Sequence, residues 1–231
     1  MFPLKDTIQS STFPFINWLL IAINVLVFLG EASMPTETLE AFLGLYGVVP
    51  ARLVGEFNLG QGATIFSSMF LHSGWAHLLG NMWLLYIFGD NVEDRMGHLK
   101  YLCFYLLVGV VAAVVQMETN LHSLVPMVGA SGAISGVLGA YLAYFPKATV
   151  ISLVPLGFYA RLIEVPAVVF LGLWFVMEFF SGFASLVGAR ADDIGGVAFW
   201  AHVGGFGSGL VAAKLFAGPA RELHSDEVRP W

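Results

Sequence analysis

Four side chains in this sequence have the types and spacing that nucleophilic chemistry needs: Ser131, His202, His77 and Asn81. Ser131 stands in Gly129-Ala130-Ser131-Gly132-Ala133-Ile134-Ser135-Gly136, where a loop bearing Pro126 meets an apolar helix. A serine hydroxyl is a weak nucleophile until a base takes its proton. His202 is the one histidine in the last three apolar runs, and imidazole titrates in the range a general base needs. His77 and Asn81 are at i and i+4, so they share a helical face. Their ring and amide N–H groups, with the Ser131 backbone N–H, make a three-donor set for an oxyanion. No acid is evident behind His202. Glu178 falls toward the outer half of the fifth apolar run, and Asp192 and Asp193 fall in a loop. The expected unit is therefore a Ser–His dyad, with the imidazole oriented by packing. Each residue also has a plainer reading: Ser131 as a helix cap, His202 as a helix-packing hydrogen bond, and His77 with Asn81 as an interhelical clamp.

Two other routes to peptide cleavage fail on residue content. A zinc protease needs ligands spaced as in His-Glu-x-x-His. The chain offers His72-Ser73-Gly74-Trp75-Ala76-His77, with the wrong spacing and no glutamate. An aspartyl dyad needs two buried aspartates, and Asp6, Asp90, Asp94, Asp192, Asp193 and Asp226 all lie at or beyond the ends of apolar runs.

The elements that must position these residues are membrane spans. Of 231 residues, 58% are hydrophobic and 11% charged, against about 25% charged in ordinary globular domains. A span needs about 20 apolar residues, and six runs fit: Phe13–Gly30, one starting near Trp75 and ending by Gly89, Tyr101–Met117, Ser131–Phe145, Ile163–Phe180 and Val197–Ala217. A cleaved signal peptide competes for the first run, with Ala32 as its cleavage site. The long connection 31–62 is read as an interfacial element or a simple extramembrane loop. Lys147–Arg161 is expected to be a loop, Met1–Thr12 a polar lead, and Gly218–Trp231 a charged, disordered tail. The net charge of −6 and the lack of a basic patch give no nucleic-acid partner. The single Cys103 excludes an internal disulfide and is read as inert packing.

With both termini inside, Lys5, Arg95, Lys100, Lys147, Arg161, Lys214, Arg221 and Arg229 fall on the inner side, and only Arg52 and Arg190 on the outer. That asymmetry places both termini in the cytoplasm. The fourth run is short for a bilayer. Its inner end is held near the surface by Pro146 and Lys147, so Ser131 is expected below the outer surface, in a sheltered wet pocket. Gly132, Gly136 and Ala140 on the fourth run, and His202, Gly205 and Gly209 on the sixth, form small-residue faces that allow close helix approach. If those faces meet, His202 comes to Ser131.

Together these pieces resemble the rhomboid family of intramembrane serine proteases. The matching segments are His72-x4-His77-x3-Asn81, Gly129-Ala130-Ser131-Gly132 and Ala201-His202-x-Gly204-Gly205-x3-Gly209, with the charged turn Val92-Glu93-Asp94-Arg95-Met96-Gly97. The resemblance covers about 13–217 and implies an all-α membrane protein of six transmembrane helices, a bundle with a short central fourth helix. It divides the chain into a lead (1–12), a six-span protease domain (13–217) and a cytoplasmic tail (218–231). It implies Ser131 as nucleophile, His202 as its base, and His77 and Asn81 as oxyanion partners. Substrates would be single-span membrane proteins, cut near or within the span by a serine endopeptidase in a bacterial or archaeal cell membrane. No metal or other cofactor is implied. Some relatives stack a tyrosine on the histidine ring one turn after the serine; here that position is Ser135. The competing functions are a non-catalytic membrane chaperone or binding relative, and a small transporter. The first typically lacks the serine or histidine, and the second predicts a symmetry between halves that the sequence does not have.

Overall fold

A computed structural model describes residues 1–55, 58–157, 159–187 and 198–219. A short strand, β1 (Phe2–Asp6), precedes α1 (Phe15–Ala32). The connection that follows carries three short helices, α2 (Thr36–Tyr46), α3 (Pro50–Gly55) and α4 (Leu59–Ser67), and a 3-10 turn at Ser68–Phe70. Then come α5 (Trp75–Met96), α6 (His98–Thr119), α7 (Ser131–Tyr144), the hairpin β2 (Thr149–Leu156) and β3 (Tyr159–Pro166), α8 (Ala167–Val187) and α9 (Phe199–Phe216). The end of the bundle where α1 begins is called the lower end.

Among the described residues, three helices are long and apolar enough to cross a membrane: α1, α6 and α8, each with a mean hydropathy of 1.9 over its best window. The helices that carry the four candidate site residues are the other kind. α7 has only 14 residues, α5 ends in Asp90, Glu93, Asp94 and Arg95, and α9 is diluted by glycine. Polar and small residues lower a helix's affinity for lipid, but they suit a helix surrounded by protein. Accordingly every residue from Gly132 to Tyr141 of α7 is buried.

The packing around α7 depends on missing side chains. A Cβ on Gly205 would lie 2.0 Å from the Gly132 carbonyl oxygen, and one on Gly209 would lie 2.0 Å from that of Gly136. The backbones of α7 and α9 therefore touch, as the two small-residue faces predict. The Gly132–Gly136 stripe is shared with α6, because Cβ atoms there would meet Ala112 and Val108.

The lower end is tied together by the charged turn. Glu93 is fully buried and accepts the Ile16 and Asn17 backbone N–H groups at 2.9 and 2.7 Å. A carboxylate thus sits where α1 carries its partial positive charge. Asp94 accepts from the Ser11 and Thr12 hydroxyls. Arg95 lies 5.2 Å from the Tyr144 ring centre and donates to the carbonyl oxygens of Gly218 and Pro219. Within the bundle, Asn17 is buried; it donates to Leu85 O and accepts from the Tyr101 hydroxyl.

Three expectations are corrected. First, 1–12 is not only a lead and 147–161 not only a loop. Phe2–Asp6 pairs antiparallel with β2, and β2 with β3, in the order β1-β2-β3. The start expected for the fifth helix, Ile163 to Pro166, is strand, and α8 begins at Ala167 after the proline. The β-branched content of Thr149-Val150-Ile151 favours a strand, and Gly157, at φ 72°, allows the turn. The β1 strand completes the sheet from the far end of the chain, a pairing invisible to local patterning. Second, α8 extends to Val187, past the end expected at Phe180. Third, Cys103 is exposed on α6 rather than packed. Asp192, Asp193 and most of the expected tail (220–231) lie outside the described residues.

Candidate active site

Ser131 is the first residue of α7. Ala130 precedes it as the cap, with no side-chain cap bond. The capping role considered for the Ser131 hydroxyl is thus not taken up. Its Oγ lies 2.8 Å from Nε2 of His202, four residues into α9. The first turn-closing bond of α7 runs from Ile134 N–H to Ala130 O. The N–H groups of Ser131, Gly132 and Ala133 precede it, at the end of the helix that favours negative charge.

Gly129 shapes the approach to the serine. Its φ of 132° lies in the region that favours glycine, and a Cβ there would sit 2.7 Å from His77 Cε1 and Nε2 and 3.6 Å from Ser131 Oγ. The His77 ring therefore lies against the loop just before Ser131. Its Nδ1 is 3.1 Å from Ser73 Oγ, which leaves Nε2 toward Gly129. Asn81 Nδ2 is 3.0 Å from Nε2 of His72. An amide nitrogen carries two N–H groups, so one remains for another acceptor. His72 is buried, and its backbone N–H reaches Glu31 Oε2 at 3.2 Å. This histidine thus joins the loop before α5 to both α1 and α5.

Sequence reasoning missed two residues, both on α8. Glu178 Oε2 lies 2.6 Å from His202 Nδ1, the ring nitrogen that does not face Ser131. Trp174, one turn earlier, has its ring centre 6.0 Å from that of His202 at an interplanar angle of 34°. The expectation that no acid stands behind His202 is therefore corrected. The signal was available: Glu178 is the one charged residue in α8, and a lone carboxylate in so apolar a helix requires a partner.

The arrangement is a hydroxyl, an imidazole and a carboxylate in one hydrogen-bonded line, beside ring and backbone N–H donors. Such a line lets the imidazole take the hydroxyl proton while the serine oxygen attacks an acyl carbon. Among the described residues, no group of three or more His, Cys, Asp or Glu side chains is placed to hold a metal ion.

Apolar spanning helices around polar, glycine-lined inner helices define an integral membrane protein with a sheltered polar site. The chain belongs to the rhomboid family: residues 59–219 match the Rhomboid domain. It is 33% identical over 133 residues to Rhomboid protease GluP of Bacillus subtilis, covering 56% of this chain and 24% of that protein. It is 34% identical over 97 residues to RHOMBOID-like protein 5 of Arabidopsis thaliana, covering 42% and 30%. It is 31% identical over 153 residues to Presenilin-associated rhomboid-like protein A, mitochondrial, of Danio rerio, covering 64% and 38%. The match spans less than half the length of each of these relatives.

Proposed function

We propose that this protein is an intramembrane serine endopeptidase that cuts transmembrane segments of membrane proteins. The observation that carries the reading is the 2.8 Å contact between Ser131 Oγ and His202 Nε2 at the start of the buried helix α7. A relative named as a rhomboid protease supports it. Ser131 is the nucleophile and His202 the base. As the Ser131 Oγ–C bond forms, the hydroxyl proton moves to His202 Nε2, and the carbonyl oxygen becomes an oxyanion. The Ser131 backbone N–H, His77 and Asn81 are the donors assigned to that oxyanion. Collapse of the intermediate breaks the C–N bond, and the Nε2 proton passes to the leaving amine. Water then attacks the acyl carbon as His202 Nε2 takes its proton; the C–Oγ bond breaks, Nε2 returns the proton to Ser131 Oγ, and the new carboxylate leaves.

The protease domain is assigned to 13–217, with a lead at 1–12 and a tail at 218–231. Its six spans are α1, α5, α6, α7, α8 and α9, and both termini are cytoplasmic, in a cell membrane. Substrates are single-span membrane proteins presented from the bilayer. Their helices must unwind, because a helical backbone turns its carbonyls into its own hydrogen bonds and away from a nucleophile. The test is labelling in detergent micelles with a fluorophosphonate, alongside cleavage of a reporter transmembrane substrate. Wild type should label and cleave, and Ser131→Ala and His202→Ala should do neither while still inserting. Cleavage undiminished in Ser131→Ala would overturn the mechanism. Failure of wild type to label or cleave would favour a non-catalytic binding protein.

A further inference from the structure

We infer that Glu178 completes a Ser131–His202–Glu178 triad, so that helix α8 positions the catalytic base. This rests on the protease reading above and extends it beyond a dyad. The carboxylate oxygen lies 2.6 Å from His202 Nδ1 while Nε2 faces Ser131 at 2.8 Å. The two contacts use opposite sides of one ring, and they select one tautomer. A carboxylate only accepts, so Nδ1 carries the proton, and Nε2 is left as the acceptor for the serine proton. Both partners are largely shielded, with side chains 12% and 17% exposed. The carboxylate also faces the positive charge that develops on the imidazole as the serine attacks.

Trp174 strengthens the assignment. It sits four residues before Glu178, on the same face of α8, and its ring packs beside His202, tilted by 34° with ring centres 6.0 Å apart. It also contacts the ring of Phe206, one turn beyond His202 on α9. The imidazole is thus held in its plane by Glu178 and against one side by Trp174. The chain has Ser135 where a stacking tyrosine would stand on α7, and the Ser135 hydroxyl is committed to Ser131 O at 2.6 Å. The aromatic neighbour of the imidazole stands on α8 instead.

Glu178 is a positioning residue, since it acts through His202. Among the described residues, the groups that face His202 from the surrounding elements are Ser131 on α7, His77 on α5, and Trp174 and Glu178 on α8. From α6, the neutral amide of Gln116 accepts the N–H of the adjoining Ala201. Glu178 is therefore the one carboxylate in this set, and its removal should read as a loss of turnover with substrate binding kept.

The test compares wild type with Glu178→Gln and Glu178→Asp in proteoliposomes, following kcat and KM of reporter cleavage. Glu178→Gln should lower kcat by about 10²- to 10⁴-fold, the upper figure being the loss when a triad acid becomes an amide. KM should stay within about twofold. Glu178→Asp should recover part of kcat. Wild-type kcat in Glu178→Gln, or a loss that falls on KM instead, would overturn the triad and leave the protease standing. Inactive wild type would overturn the protease reading itself. Should Glu178→Gln fail to fold, proton NMR of wild type carries the test. A low-field His202 Nδ1–H resonance is expected, and its absence would overturn the contact.

Discussion

Gly205 and Gly132 stand so close that a β-carbon on Gly205 would lie 2.0 Å from the Gly132 carbonyl oxygen. His202 is one turn before Gly205, and Ser131 is next to Gly132. The missing side chain therefore sets the distance between His202 and Ser131. Gly205→Ala should push α9 off α7, lower cleavage at least about 100-fold, and destabilise the fold by about 1–3 kcal/mol, as overpacking does. Gly207, with nothing within 4 Å of its would-be Cβ, is the control, and Gly207→Ala should leave both unchanged. Cleavage assays with thermal unfolding in micelles read both effects.

His77, Asn81 and His72 should separate by the step they affect. Loss of one oxyanion donor costs about 2.7–4 kcal/mol in the barrier, so His77→Ala and Asn81→Ala should lower kcat by up to about a thousandfold. KM should change little. His72→Ala removes the 3.0 Å partner of Asn81 and should slow turnover less than Asn81→Ala. Equal kcat for wild type and His77→Ala would remove His77 from the oxyanion site.

Glu93→Gln should weaken the whole bundle rather than the chemistry. The fully buried carboxylate accepts two N–H groups from the first turn of α1 and contacts His98. An amide keeps one acceptor oxygen and brings a donor into that nest. A loss of about 1–3 kcal/mol is expected for a buried group left badly paired. Chemical unfolding should detect it, while folded Glu93→Gln should still label at Ser131.

Stability should fall as pH rises through the neutral range because of Asp6. Its carboxyl is raised from 3.8 to about 8, chiefly by burial, with the Tyr141 hydroxyl lowering it and the nearby Asp90 adding to the rise. Its Oδ2 accepts from Tyr141 and from Asn91 Nδ2. Between about pH 4 and 8 the folded chain holds a proton that the unfolded chain has released. The folded state is therefore favoured less with each unit of pH, until the effect levels off above 8. Unfolding midpoints measured from pH 5 to 9 should decline for wild type and flatten in Asp6→Asn. A flat wild-type profile would contradict this placement of Asp6.

Local pattern carried much of the fold. Periodic apolar runs marked the helices, because a span must bury its backbone in its own hydrogen bonds and show apolar side chains to lipid. The starts of α5 and α7 were legible from Trp75 and Ser131, where loop residues give way to apolar ones. Small residues at i and i+4 on α7, and at i, i+3 and i+7 after His202, were enough to bring Ser131 and His202 together. Close approach of two helices is written in the residues that are too small to prevent it.

Long-range pairing was not legible. The β1 strand completes a sheet with residues near 150, and nothing local to Phe2–Asp6 announces that partner. Glu178 was visible as a lone charge, yet its height and face could not be matched to His202 until α8 was placed beside α9. The sequence by itself determined which side chains could do chemistry and which helices could touch. The tertiary structure alone decided that a third helix supplies the carboxylate and the aromatic ring beside His202. Residue spacing fixes neighbours along one helix, whereas the rotation and height of separate helices are settled by packing.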